Sequence, residues 1–303
     1  MTLLNASFLM SNLFPILVFH TTDMRSYKLL LPFLLLLLAE VSHAQTAAEV
    51  HSKQWLTTIT GHAIHASAAP GAFAAAPHGI ALYCSRVGNV DVPYLVYVPQ
   101  TYTPARAMPV VVFLHGAILA KDSFQYKDPS IAAEPIFSVA DMYHTIVVFP
   151  FGRRDLMWPS QVSALENVAS IVKQVQDYYN VDKQKIYLGG ISMGGISTFW
   201  FINHKPDMFA GFYAFSAMPR LPGEAIKFSN ITKQKPLFSM NAKDDPGFLF
   251  GDVQAIYEQH KTEAPGWNFG NVEQGGHRFI YGPGGAKYVY SLLGNLLLPP
   301  AKN

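Results

Sequence analysis

The segment around residues 185–204 constrains this chain more than any other. A strand-like run at 185–188 leads straight into Gly189-Gly190-Ile191-Ser192-Met193-Gly194-Gly195, and a helical segment at 196–204 follows until Pro206 stops it. A chain that reverses from strand to helix within about three residues leaves no room for side chains beside the turn, which is why glycines flank it. The residue at the tip is forced into a strained conformation with its side chain exposed. Gly190-Ile191-Ser192-Met193-Gly194 matches G-x-S-x-G, so that exposed group is the hydroxyl of Ser192. The pentapeptide alone is a weak signal, because glycine and serine are common. The strand before it and the helix after it are the context that separates it from a merely structural turn. A serine hydroxyl is a poor nucleophile unaided, so the turn implies chemistry only beside a base and a site for an oxyanion.

The remaining pattern supplies a sheet for that turn to stand on. Half of the 303 residues are hydrophobic and 14% are charged, which is ample material for a buried core. The length allows one large α/β domain or two small ones, and one is the simpler expectation. Runs at 94–98, 110–114 and 145–149 are apolar at nearly every position, as in strands buried on both faces. Between 161 and 179, Leu165, Val168, Val172, Val175 and Tyr179 recur at helical spacing. Past the glycine turn, strands are expected at 211–215, 236–240 and near 268–272, with helices near 252–261 and at 286–297. Strand-length runs alternating with helical patterns predict an α/β fold with a mostly parallel central sheet and helices on both faces. No repeat or linker divides residues 78–303, which are read as one catalytic domain.

The partners that Ser192 requires have candidates in the same region. Gly275-Gly276-His277-Arg278-Phe279 follows one expected strand and precedes the last helix, and a histidine in a late loop is placed to take a proton from the serine. A solvated surface histidine is the bland reading of His277. His204 and His260, the other histidines after Ser192, fall within or at the ends of helices. An acid to orient the imidazole is expected in the loop after 236–240, where both Asp244 and Asp245 occur, and one of them serves equally well as a turn cap. An oxyanion hole needs two backbone N–H groups, one after the nucleophile and one after an early strand. Met193 and Ala117 are the candidates, with Gly116 allowing the close turn. His115 reads as structural, since the proton-transfer role is already filled.

The segment 92–99, the run Val111-Val112-Phe113-Leu114-His115-Gly116-Ala117, the strand Ile146-Val147-Val148-Phe149-Pro150 and the turn at 185–195 together resemble one group of the α/β-hydrolase superfamily. That group comprises esterases, polyhydroxybutyrate depolymerases and the compact prolyl-oligopeptidase-like predicted peptidases. The resemblance runs from about Val92 to the C-terminus and implies the α/β-hydrolase fold. It also implies an enzyme that cleaves carboxylic esters through an acyl-enzyme on Ser192, without a cofactor. Within it Asp244 is the preferred acid, because it falls where the corresponding aspartate does, shortly past the strand end. The sequence departs from the group where the usual His-Gly ahead of that aspartate is replaced by Met240-Asn241, which leaves Asp245 as the alternative. The competing functions are a serine peptidase on the same fold and a catalytically inactive binding protein that keeps it.

Charge and targeting narrow the partners. The formal net charge is +2 and no run of five like charges occurs, so nucleic acid is not expected. No H-E-x-x-H pair is present, and His62 and His65 lie in an Ala-rich stretch without carboxylates, so no metal is expected. A small-molecule or polymeric ester is the expected partner. The single cysteine, Cys84, precludes an intramolecular disulfide and reads as a buried inert thiol. Arg153 and Arg154, past the strand at 145–149, read as solvated or structural rather than as an anion site. From Met24 a basic start, an apolar stretch at 29–39 and Val41-Ser42-His43-Ala44 form a signal-peptide pattern, with cleavage expected after Ala44 and Gln45 as the mature start. Residues 1–44 are thus read as an upstream segment plus signal peptide, with Met24 as the true start, and 45–77 as an N-terminal arm. Neither apolar stretch reaches the roughly eighteen residues that span a bilayer. The mature chain is expected to be exported to the periplasm or outside the cell, with no membrane partner.

Overall fold

The protein is described here from a computed structural model over residues 78–298. The expected signal peptide, the arm at 45–77 and residues 299–303 lie outside the described residues.

Eight strands form one sheet: β1 (Gly79–Val87), β2 (Val90–Val98), β3 (Met108–Leu114), β4 (Ile146–Pro150), β5 (Val181–Ile191), β6 (Gly211–Phe215), β7 (Leu237–Ala242) and β8 (Trp267–Val272). Their order is β1-β2-β4-β3-β5-β6-β7-β8. β2 runs antiparallel to both β1 and β4, and every pairing from β4 to β8 is parallel. Among the described residues five α-helices accompany the sheet: α1 (Pro135–Tyr143), α2 (Val162–Tyr178), α3 (Met193–His204), α4 (Phe250–His260) and α5 (Ala286–Leu297).

The unbroken apolar runs have a direct explanation, because alternate side chains of a strand point to opposite faces. In β3, Val110, Val112 and Leu114 join one buried layer while Val111 and Phe113 join the other. In β4, Ile146 and Val148 divide from Val147 and Phe149 in the same way. The first layer is closed by α2 and α3, through Leu165, Val168, Val172, Phe199 and Phe201. The second is closed by α1 and α5, through Ile136, Val139, Val289 and Leu293. A strand covered on one face alone would alternate apolar with polar residues, and these do not.

Several boundaries differ from the sequence reading for identifiable reasons. β5 starts at Val181 rather than 185, through the exposed Lys183-Gln184-Lys185, whose polarity hides a strand from a hydrophobic count. β7 runs two residues past 240, to Ala242. Helix α1 has no counterpart in the sequence reading, since Pro135 opens it and nine residues carry too few turns for a periodicity to stand out. Cys84 lies in edge strand β1 and is partly rather than fully buried, with burial raising its pKa.

One topological consequence locates the site. From β3 the chain moves outward to β4, then crosses back over β3 to lay down β5 on its other side. The connections leaving β3 and β5 at their carboxyl ends therefore diverge, and a crevice opens between them. Ligands of open α/β sheets bind at such a switch point. Ser192 follows β5, and Gly116 lies just beyond β3.

Candidate active site

Ser192 sits between β5 and α3 at φ 56° and ψ −119°, a conformation that costs a non-glycine residue about 1–3 kcal/mol. Its own backbone holds it there. The Ser192 N–H donates to the Phe215 carbonyl at 3.0 Å, and its carbonyl accepts the Ile196 N–H at 2.8 Å. The glycines of the turn are needed because β3 runs against it. A Cβ on Gly190 would lie 2.1 Å from the Leu114 carbonyl oxygen, and one on Gly194 would lie 2.0 Å from the same atom. Since backbone on both sides cannot yield, Gly194→Ala is expected to lower stability by about 3 kcal/mol or more, read as a shift in the urea midpoint.

The hydroxyl of Ser192 lies 2.8 Å from Nε2 of His277, and Nδ1 of that ring lies 2.8 Å from Oδ2 and 3.1 Å from Oδ1 of Asp245. A carboxylate only accepts, so Nδ1 carries the proton it donates to Asp245, and Nε2 is left to accept the serine proton. Asp245 is 2% exposed. Its Oδ1 also accepts the N–H groups of Gly247 at 2.7 Å and Phe248 at 3.0 Å, which fix the carboxylate's orientation. The Phe248 ring meets the imidazole edge-on, with centroids 5.0 Å apart.

The preference for Asp244 as the residue facing the imidazole is corrected by this geometry. Asp244 is exposed, and its carboxylate accepts the N–H groups of Gly275 at 3.0 Å and Gly276 at 2.8 Å. Those two donors hold its pKa below the usual aspartate value. The cause is the longer β7. The ladder to β8 continues through Ala242, and Lys243 N–H still bonds the Val272 carbonyl, so the turn begins later and brings the second aspartate round to the imidazole. Asp244 instead clamps the glycines just ahead of His277.

Met193 opens α3 and Ala117 opens a 3-10 turn, Ala117–Leu119, so each N–H is a first-turn donor without an acceptor inside its own helix. Gly116 lets the β3 loop pass close to Ser192; a Cβ there would sit 3.3 Å from Ser192 Cβ. A cavity of about 210 Å³ is bounded by Ser192, His277, Ala117, Ile118, Arg278 and Tyr281, among others.

His115 is fully buried and braces the loop that carries Ala117. Its Nε2 accepts the Gly152 N–H at 2.9 Å, which assigns the proton to Nδ1, donated to the Gly116 carbonyl at 2.8 Å. The Trp158 indole donates to the His115 carbonyl at 3.1 Å. Burial pushes its pKa down to about 4, against the opposing pull of the Gly116 bond. The unfolded chain protonates this ring near pH 6.5 while the folded chain resists until about 4, so stability falls as pH drops through that window. His115→Gln is expected to flatten the fall, on the order of 2–3 kcal/mol, in urea midpoints measured between pH 7 and 4. Arg153 pairs with Asp155 at 2.6 Å and Arg154 with Asp122 at 2.9 Å, both carboxylates being exposed. Among the described residues no group of three or more His, Cys, Asp or Glu is placed to hold a metal ion. No described helix is long and apolar enough to cross a membrane.

The mostly parallel sheet, the switch-point crevice and the line from Ser192 through His277 to Asp245 define an α/β-hydrolase. A family model agrees: the Esterase family matches residues 85–267, and the chain belongs to it. The chain is 25% identical over 170 residues to a bifunctional acetylxylan esterase/xylanase of Neocallimastix patriciarum, covering 55% of this chain and 23% of that one. It is 33% identical over 92 residues to a feruloyl esterase B of Talaromyces funiculosus, covering 27% and 26%. The chain thus spans about a quarter of the length of these two relatives. Among solved structures, a hyperthermophilic esterase from the archaeon Pyrobaculum calidifontis shares the fold, with a TM-score of 0.56 at 15% identity over 84% of this chain and 92% of that one.

Proposed function

We propose that this chain hydrolyses carboxylic esters through an acyl-enzyme on Ser192. The observation that carries the reading is the hydrogen-bonded line Ser192, His277, Asp245 at the sheet's switch point. His277 takes the hydroxyl proton as Ser192 Oγ attacks the ester carbonyl, and the imidazolium that forms faces the buried Asp245 carboxylate. The N–H groups of Met193 and Ala117 receive the oxyanion. His277 returns its proton to the departing alcohol. Water then enters and loses a proton to His277 as it attacks the acyl carbonyl, and the acid departs as His277 returns that proton to Ser192 Oγ.

Membership of the Esterase family supports an ester rather than an amide as the bond cleaved. The relatives named as acetylxylan and feruloyl esterases support acetyl and feruloyl esters, small or polymer-borne, as the first substrates to try. The signal-peptide pattern from Met24 to Ala44 supports export, with residues 78–303 as the catalytic domain.

A fluorophosphonate probe on the purified chain, with Ser192→Ala and His277→Ala beside it, tests the reading when the label is located by mass spectrometry. Labelling at Ser192 that vanishes in both variants is expected, together with turnover of p-nitrophenyl acetate. A folded protein that takes no label loses the hydrolase reading and keeps only the fold. Turnover of a prolyl peptide in place of every ester tried moves the reading to a peptidase.

A further inference from the structure

A second cavity, of about 450 Å³, adjoins the one at Ser192, and Ile118, Arg278 and Tyr281 line both. Arg278 follows His277 directly, so the 3-10 segment that places the imidazole also places a guanidinium where the two cavities meet. Arg278 is exposed, and its Cζ lies 5.4 Å from the centre of the Tyr281 ring. Among the described residues the guanidinium has no hydrogen bond and no carboxylate within ion-pair distance. By contrast, Arg86, Arg153 and Arg154 hold Asp91, Asp155 and Asp122 at 2.7, 2.6 and 2.9 Å. A second cation, Lys121, lines the larger cavity and likewise lacks a carboxylate partner among the described residues. The same wall holds two acids, and both are engaged. Asp128 accepts the Ser130 N–H at 2.9 Å, and Glu134 accepts the Tyr281 hydroxyl. Burial pushes the Glu134 carboxyl up to about 7, a larger influence than the opposing pull of Arg278. Near neutral pH the acids therefore cancel only part of the positive charge.

We infer that the second cavity is a subsite for a carboxylate carried by the substrate ester, held by the Arg278 guanidinium, with Lys121 adding charge to the same wall. The inference rests on Ser192 being the nucleophile and names the substrate class that site takes. Position supports it, because Arg278 lines both cavities and an ester seated on Ser192 meets it on the way from one to the other. Geometry supports it, because the paired N–H groups of a guanidinium match the two oxygens of a carboxylate. The Ser130 hydroxyl, without a partner among the described residues, is a further donor in the lining. A plain alkyl or aryl group would leave all of these donors to water.

The test compares kcat/KM for esters matched in everything but charge, in each case a carboxylate against its primary amide. Mono(4-nitrophenyl) adipate against 4-nitrophenyl 5-carbamoylpentanoate places the charge on the acyl side. The acetyl ester of 3-(4-hydroxyphenyl)propanoic acid against that of 3-(4-hydroxyphenyl)propanamide places it on the alcohol side. In the native chain the carboxylate is expected to be preferred by about tenfold in one pair, and that pair identifies the side. In about 0.5 M salt the preference is expected to fall by about threefold, because an exposed pair is screened. Arg278→Gln is expected to bring it to about one, Arg278→Lys to restore part of it, and Lys121→Glu to lower it by about threefold. Fluorophosphonate labelling of Ser192 accompanies every variant. A labelled native chain with no preference in either pair overturns the inference, as does a preference that survives Arg278→Gln or is unmoved by Lys121→Glu. A native chain that takes no label overturns the proposed function and this inference with it. If Arg278→Gln loses its label, Arg278→Lys, Lys121→Glu and the salt series decide.

Discussion

Ser192→Ala is expected to lower kcat on an aryl ester by about 10⁴- to 10⁶-fold, because on the proposed mechanism no other group can form the acyl-enzyme. The loss should fall on kcat with little change in the affinity for substrate, since a methyl group fills the cavity much as the hydroxymethyl does. His277→Ala should cost nearly as much, and the double variant little more than either, because the pair acts as one unit. Stability offers a second readout of the same residue. At φ 56° a side chain is under strain that glycine escapes. Ser192→Gly is therefore expected to be inactive and yet more stable than Ser192→Ala by about 1 kcal/mol, measured by urea denaturation. An alanine variant that matched the glycine variant would mean that the turn stores no strain at this position.

Asp245→Asn is expected to lower kcat by about 10³- to 10⁴-fold, whereas Asp244→Asn should cost less than about tenfold. The two residues are adjacent in sequence and opposite in surroundings. Asp245 is buried, receives the imidazole N–H at 2.8 Å and is itself oriented by two backbone donors. An amide there presents a donor as well as an acceptor, which favours the wrong tautomer of His277 and leaves Nε2 protonated against the serine. Asp244 instead accepts the N–H groups of Gly275 and Gly276. Its loss loosens the loop ahead of His277, so its small effect should shrink further when the reaction is measured at low temperature. Equal losses in the two variants would mean that both carboxylates serve the imidazole in solution. Initial rates on p-nitrophenyl acetate separate these outcomes.

The difference between those aspartates marks how far the residues could be read in order. The turn at Ser192, the strand ahead of it and the helix behind it were legible because each is a local matter, whereas His277 was a candidate by its place late in the chain. Glycines with fixed spacing can do little else between a strand and a helix, and β3 and β4 announce themselves by burial on both faces. Asp244 and Asp245 were not separable, because the choice depends on where β7 stops. That is set by its pairing with β8 through Ala242 and not by anything in Lys243-Asp244-Asp245. The role of His115 as a brace was not legible, because it needed Gly152 to be brought within 2.9 Å from 37 residues away.

The sequence by itself determined the α/β architecture and the turn that carries Ser192, since hydrophobic periodicity and glycine sterics act over a few residues. The tertiary structure decided which aspartate meets His277 and which backbone groups His115 braces, since hydrogen-bond partners and burial are properties of segments that meet only after folding.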